Sequence, residues 1–493
     1  MSNVILDWDK SRRKGIIVSD HLDLIRLRFS QPNEAKEIIK RRFGGGMIAD
    51  RINAITATGR FDLGMYFEIA KFIKNSQYGF QYNTTQLLAD RLKLGVNPDS
   101  LPKLNLEPRE YQVDGVEKAL KYGFGTFVLG TGGGKTLLMA LIDRTIHKQV
   151  SGSTLICLPA SLVQQTKKDF IDYGIPAEDI ACWSGIKNPY EVKPIIIASY
   201  KTIGSKLTSK TPAIQKEFLE KLSDVSVLML DEVHRLRKKN KLNKVLDKLK
   251  DISHRFGFTG TLPEEPIDQW NIIGRIGPIL IDMDTYELRQ KGNLSQVKSL
   301  ILKIHYSELP DQTSTLEEPN RAYIVEKEFI TANVYRRNVI KQLCKSFQDN
   351  CLIMVDRLEH GHLLYEELDQ IEGKQCYWIY GDIDIDERER IRALMEVETN
   401  IICIAMAKIF STGINIKNLH YVIMAQGGKA KVTIVQSIGR GLRLHELKAG
   451  LVIVDLADML RYGEDHLQKR ELLYNKENIT YETRDIHEPP NNN

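Results

Sequence analysis

The segment that most constrains this 493-residue chain is FVLGTGGGKTLLMALI, which starts at Phe127. An apolar, strand-like run leads into Gly130, Thr131, Gly132, Gly133, Gly134, Lys135 and Thr136, and a helical pattern follows. A strand, a glycine-rich turn and a helix in that order form a phosphate-binding loop. Glycines let backbone amides approach phosphate oxygens, and the helix N-terminus favours negative charge. Lys135 is placed to reach the β and γ phosphates of a nucleotide, and Thr136 to ligate its magnesium. The strict pattern wants glycine at position 129, where this chain has Leu129, so the loop meets the shorter form TGGGKT.

The rest of the chain repeats the strand-and-helix alternation twice. GTFVLG, STLICLP, PIIIAS and SVLMLDE form one series, and NCLIMVD, TNIICIAMA, LHYVIMA and AGLVIVDLA a second, each run separated by helical stretches. That alternation is the signature of parallel strands covered by helices, so the expected fold class is α/β with two tandem lobes. The length allows about three domains. We place an N-terminal accessory domain at 1–103, the first lobe at 104–310, a linker and the second lobe at 311–470, and a polar tail at 471–493. GVNPDSLPKLNLEP, residues 95–108, breaks periodicity at the first boundary, and DQTSTLEEPN, residues 311–320, reads as a mobile linker.

The charge is unevenly spread. Residues 1–103 hold 17 Lys and Arg against 11 Asp and Glu, an excess of six in a chain whose whole net charge is +5. A basic module beside a nearly neutral remainder suits a polyanion, because neutralised phosphates release counterions. In HLDLIRLRF the alternation reads as a strand, with Ile25, Leu27 and Phe29 on one face and Arg26 and Arg28 on the other. NEAKEIIKRRF reads as a helix stopped by Gly44, Gly45 and Gly46, which leaves Arg41 and Arg42 beside the turn. These four arginines are the candidate nucleic-acid contacts of the module. Leu63, Tyr66, Phe67, Ala70 and Ile73 recur at helical spacing and read as core.

Two further constellations complete a nucleotide site. VLMLDEVHRL puts Asp231 and Glu232 at a strand end, Asp231 to hold the magnesium shell and Glu232 to polarise the attacking water, on a strand expected to neighbour the phosphate loop's. QSIGRGLR, which Gln436 opens, sets Arg440 and Arg443 three residues apart, so two guanidiniums can meet phosphoryl charge from the other lobe. The six cysteines form no CxxC pair and read as buried free thiols, which leaves magnesium as the expected metal. The first residues lack a signal peptide's apolar run, and no stretch approaches a membrane span, so the expected place is the cytoplasm, with no membrane partner.

These motifs, in this order across residues 107–460, resemble superfamily 2 helicases, whose lobes are RecA-like. The resemblance implies ATP rather than GTP, because EPREYQ resembles the adenine-reading motif: Gln112 would bond the base, framed by Arg109 and Tyr111. DEVH resembles the DExH box, with His234 implied to couple the site to the other lobe, and FTGTLP resembles the third motif, with Thr259 and Thr261. PASLVQQ, with Pro159 and Gln165, and ASYKT, with Ser199 and Thr202, resemble first-lobe strand contacts. FSTGINI, with Ser411, Thr412 and Gly413, resembles the fifth motif, although Asn415 stands where many members carry aspartate. The region from FSTGINI to GLRLH resembles UvsW-type bacteriophage helicases nearly throughout. That implies a DNA helicase acting on forks, Holliday-type junctions or R-loops in recombination, replication or repair; because both halves of the ATP site lie in one chain, a working monomer is expected. The competing readings are an RNA helicase, which shares the motor, and an ATP-gated clamp that binds nucleic acid without unwinding it.

Overall fold

A computed structural model describes the chain except for residues 1–2, 34–49, 97–100, 186–189, 239, 311–318, 408–415, 427–447, 449 and 491–493. It divides into two compact units, Met1–Leu129 with Gly134–Asp284, and Thr285–Asn493 with Gly130–Gly133.

In the first unit, β1 (Asn3–Asp9), β2 (Lys14–Val18), β5 (Arg60–Phe61) and β6 (Gln81–Thr84) form a small mixed sheet in the order β5-β2-β1-β6, while β3 (Ser30–Pro32) pairs with β4 (Arg51–Asn53). The run HLDLIRLRF is a helix, Leu22–Arg28, and not the expected strand. Ile25 and Phe29 are four apart as well as two pairs apart, so the same apolar residues satisfy both periods; both are buried, while Leu27 is exposed. Arg26 and Arg28 therefore point in different directions. Helix Tyr66–Asn75 buries Ile69, Ala70 and Ile73, in keeping with the core reading of that stretch.

The N-terminal sheet shares its core with the first lobe. The helix Pro266–Ile276 turns Ile273 and Trp270 into the N-terminal cluster of Val4, Ile25, Phe29 and Ile69, and Ile272 and Ile276 into the lobe's own core. Contact is close: a Cβ on Gly64 would fall 1.9 Å from the Ile273 carbonyl oxygen. The Gln31 side chain accepts from the backbone N–H of Ile267 and donates to Glu265, and Phe29 meets Trp270 edge-on with centroids 5.6 Å apart. Lys14 donates to Asp62 at 2.9 Å, and Arg275 lies on the other side of the same carboxylate.

The lobe itself is a parallel sheet of β7 (Phe124–Leu129), β8 (Ser153–Leu158), β9 (Ile180–Trp183), β10 (Ile195–Ser199), β11 (Val225–Asp231), β12 (His254–Thr259) and β13 (Ile279–Met283), in the order β13-β7-β12-β11-β8-β10-β9. Strands β7, β8 and β10 are buried on both faces, which is why they read as unbroken apolar runs. The sequence placed β11 beside β7; in fact β12 lies between them. HRFGFT carries two polar residues, His254 and Arg255, at its start, and this hides it from an apolar-run search.

The second unit repeats the plan with β14 (Gln296–His305), β15 (Cys351–Val355), β16 (Gln375–Ile379), β17 (Ile401–Met406), β18 (Tyr421–Met424), β19 (Gly450–Asp458) and β20 (Thr480–His487), all parallel, in the order β16-β17-β15-β18-β19-β14-β20. Two expectations change here. Strand β14 precedes residue 311 yet pairs with β19 along its length, so the second unit begins at Thr285 and not at the expected 311. Residues 480–487, read as tail, form the edge strand β20, whose polar composition reflects an exposed edge and not a lack of structure. A buried bidentate pair, Arg336 with Asp458 at 2.7 and 3.1 Å, fastens helix Val334–Ser346 to the end of β19. Five of the six cysteines are buried, and all six are free thiols.

Candidate nucleotide and nucleic-acid sites

Strand β7 delivers the chain into the phosphate loop, and helix Lys135–Ile146 begins at its end. Gly132 and Gly134 take φ of +84° and +69°, a left-handed backbone that a side chain would resist. The Lys135 ammonium donates to the carbonyl of Leu129 at 3.3 Å, which holds the side chain folded back over the loop. Gln112 is buried and bridges two elements: its side-chain carbonyl accepts from the backbone N–H of Arg109 at 2.9 Å, and its amide donates to the carbonyl of Gly134 at 3.1 Å. Arg109 in turn donates to the Tyr111 hydroxyl at 3.0 Å. The EPREYQ motif thus caps helix Glu110–Tyr122 and props the last glycine of the loop.

At the end of β11, Glu232 has φ of +53°, a conformation that costs a non-glycine residue on the order of 1 kcal/mol and clusters at functional sites. Nδ1 of His234 lies 3.1 Å from the Glu232 carboxylate and 3.0 Å from the Thr259 hydroxyl. Thr259 gives its own hydrogen to the carbonyl of Thr261 at 2.8 Å. Both neighbours of Nδ1 are therefore acceptors toward it, and Nδ1 is the protonated nitrogen. The intervening strand β12 explains the chain of contacts: it carries Thr259 to a point beside the DExH box.

The two adjacent carboxylates are driven apart in acidity. Burial and the charge of Glu232 push Asp231 up to about 6. Burial also opposes the charge of Glu232, but the hydrogen bond from His234 and the charge of Lys135 outweigh it and hold this group down at about 2. A half-buried carboxylate that lacks enough positive charge, with the hydroxyl of Thr136 as the other donor, suits a hard divalent cation. Magnesium keeps most of its shell as water and phosphate, so it needs few protein ligands. No cluster of three or more His, Cys, Asp or Glu side chains able to hold a metal occurs among the described residues.

The expected strand contacts are less uniform. Ser199 and Thr202 are buried and occupied with each other: Ser199 caps helix Tyr200–Leu207 by accepting from the Thr202 N–H at 3.0 Å, and donates to the Thr202 hydroxyl at 2.8 Å. The accessible cation of that turn is Lys201, which motif reading passed over. Pro159 opens the turn after β8, and Gln165 donates to Asp169 at 2.7 Å. On the N-terminal helix Leu22–Arg28, Arg26 pairs with Asp23, and Arg28 is exposed over the Phe29 ring. Arg41, Arg42, Ser411, Thr412, Gly413, Gln436, Arg440 and Arg443 lie outside the described residues.

Comparison with known proteins agrees with this arrangement. Residues 105–264 match the family model described as type III restriction enzyme, res subunit, and residues 335–445 match the helicase conserved C-terminal domain. The chain is 27% identical over 433 residues to the ATP-dependent DNA helicase uvsW of Enterobacteria phage T4, covering 85% of this chain and 83% of that one. A putative DNA 3'-5' helicase Rad25 of Haloarcula marismortui is 23% identical over 69% of this chain, which spans only about half (51%) of that protein. Among solved structures, a fragment of a putative HsdR subunit of a type I restriction enzyme from Vibrio vulnificus superposes with a TM-score of 0.54 at 16% identity, covering 78% of this chain and 70% of that one, and shares the fold. With a phosphate loop and DExH box at the strand ends of its first lobe, and both helicase domains matched in order, the chain belongs to the DExH-type helicases of superfamily 2.

Proposed function

We propose that the protein is an ATP-driven DNA helicase that remodels branched DNA: forks, Holliday-type junctions or R-loops. The observation that carries the motor reading is the continuous path from Glu232 through His234 and Thr259 to Thr261, which ties the DExH box to the loop after β12. The likeness to the phage helicase supports DNA as the substrate class.

In this reading Lys135 binds the β and γ phosphates, the amides of residues 130–134 cradle them, and Gln112 with Arg109 and Tyr111 shapes the base end of the site. Magnesium, when bound through Thr136 and Asp231, neutralises phosphate charge. Glu232, the more acidic of the two carboxylates, stays ionised at neutral pH and orients the attacking water by accepting its hydrogen bond. A change in charge at Glu232 alters what His234 donates to, and Thr259 passes that change to Thr261. Gln436, Arg440, Arg443 and Gly413 keep the nucleotide roles that the resemblance implies, and Ser411, Thr412, Pro159 and Gln165 keep theirs on the nucleic-acid backbone. Of Arg26 and Arg28, Arg28 is the exposed one and is available for the same task.

The test is the ATP hydrolysis rate without nucleic acid and with single-stranded DNA, duplex DNA, a four-way junction and RNA at one salt concentration. Strongest stimulation by the junction is expected. A preference for RNA would move the protein to the RNA helicases, and a rate indifferent to all of them would remove the motor reading.

A further inference from the structure

The sheet of the second unit ends on a strand whose outer side is uncovered. Strand β20 pairs with β14, and among the described residues no strand lies beyond it. An open edge of this kind offers a row of backbone donors and acceptors to another chain. The register fixes which groups those are. The N–H of Glu488 donates to the carbonyl of His305 at 2.8 Å. Because a strand alternates, the backbone groups of Glu482, Arg484 and Ile486 also turn toward β14, and those of Tyr481, Thr483 and Asp485 turn outward. His487 follows the outward set, but its carbonyl already accepts from the Tyr335 hydroxyl at 2.9 Å. The open stretch is therefore Tyr481 to Asp485, with Thr483 at its middle.

The side chains of that stretch select the occupant. Charge on an edge ordinarily keeps strands of different molecules apart, and it does so when the charges that meet are alike. Here they differ. Glu482 and Arg484 lie on one face of β20, 3.6 Å apart and largely exposed, a pair that solvent screens and that adds little to folding. An antiparallel copy must set outward-turned residues opposite outward-turned residues, so the two-fold axis passes through a residue and not between two. With the axis at Glu482, Arg484 or Asp485, a charge faces its own copy. With the axis at Tyr481, the pairing runs off the start of the strand, which begins at Thr480. With the axis at Thr483, Glu482 faces Arg484 of the partner subunit and Arg484 faces Glu482 of the partner subunit. Both charge pairs then fall at positions without backbone bonds, where facing side chains lie closest. The outward N–H and C=O groups of Tyr481, Thr483 and Asp485 find about six hydrogen bonds across the axis.

We infer that the outer edge of β20 is a self-association surface, on which a second copy of this chain pairs antiparallel about Thr483 and joins the two seven-stranded sheets into one. A two-fold pairing uses both edges at once, so it closes on a dimer and does not continue into a filament. The contact is one short strand pair, smaller than a standard interface, so the dimer forms and dissociates with concentration. The expected working monomer is then the motor unit of a reversible dimer. This goes beyond the proposed function and does not rest on it: the pairing adds no residue to the nucleotide site, whose motifs all lie within one chain.

The experiment is analytical ultracentrifugation of the full chain across a concentration series, with a thermal melt of each variant as a check on folding. The wild type should pass from monomer to dimer as concentration rises. Thr483→Pro removes an N–H that turns away from β14, leaves the ladder between the two strands in place, and should hold the protein as a monomer. Glu482→Arg sets like charges opposite each other twice across the axis and should raise the dissociation constant roughly tenfold or more. Glu482→Arg/Arg484→Glu restores opposite charges in the same register and should return the constant to near the wild-type value, a rescue that a folding defect would not give. If Thr483→Pro melts early, the charge series alone decides. A wild type that stays monomeric at every concentration, a dimer indifferent to Glu482→Arg, or a double exchange that fails to rescue would each overturn the assignment.

Discussion

Single side chains decide the chemistry at the strand ends, and their roles separate in kinetics. Lys135→Ala should abolish nucleic-acid-stimulated ATP hydrolysis, by at least about a hundredfold, because it removes the fixed charge on the transferring phosphoryl group. Glu232→Gln should lower kcat by roughly 100-fold to 10,000-fold while ATP affinity, read by a fluorescent analogue, stays near wild type. Equal losses in both would show that Glu232 supports the site and does not orient water. These residues were legible because motif spacing carries them. Gln112 was legible as a type but not in its geometry, since nothing in EPREYQ announces that its amide reaches Gly134. Ser199 and Thr202 show the opposite case: the motif singles them out, yet burial turns both inward and leaves Lys201 as the accessible group.

Between elements, the helix Pro266–Ile276 has the most to hold, with the N-terminal sheet on one face and the lobe's core on the other. Gly64→Val should lower the melting temperature of the protein, since its Cβ meets the Ile273 carbonyl; overpacking of this kind costs about 1–3 kcal/mol. Asp62 gives the same junction a pH dependence. Burial alone would raise its pKa, but Lys14 and Arg275 outweigh burial and hold it below the ordinary aspartate value. A group depressed on folding contributes stability at neutral pH that is lost as pH falls through the acidic range below about 4. Asp62→Asn should therefore destabilise the protein at pH 7, and the gap from wild type should narrow in acid; a gap constant with pH in thermal melts would refute the linkage. At the far end of the chain, truncation after Asn478 should lower stability and raise aggregation in light scattering, because it strips β20 and bares the backbone edge of β14.

At the scale of the molecule, the basic excess of the first hundred residues belongs to a module that shares a core with the first lobe. If that module holds nucleic acid as proposed, the bound strand is attached to the same body as the DExH box, and junction DNA should stimulate hydrolysis more than a single strand of equal length. The sequence by itself determined the two-lobed α/β plan, the phosphate loop, the carboxylate pair and the motif order, since buried parallel strands and glycine-rich turns leave local patterns of period and composition. Tertiary structure alone decided which strand lies beside which, that Gln296–His305 and Thr480–His487 join the second sheet, that Leu22–Arg28 is a helix, and that Lys201, Arg235 and Arg237 line one groove. The physical reason is common to all four. Sheet order, edge pairing and clustered charge are relations between residues far apart in the chain, and a local pattern that fits two periods or two sheets is resolved only by what packs against it.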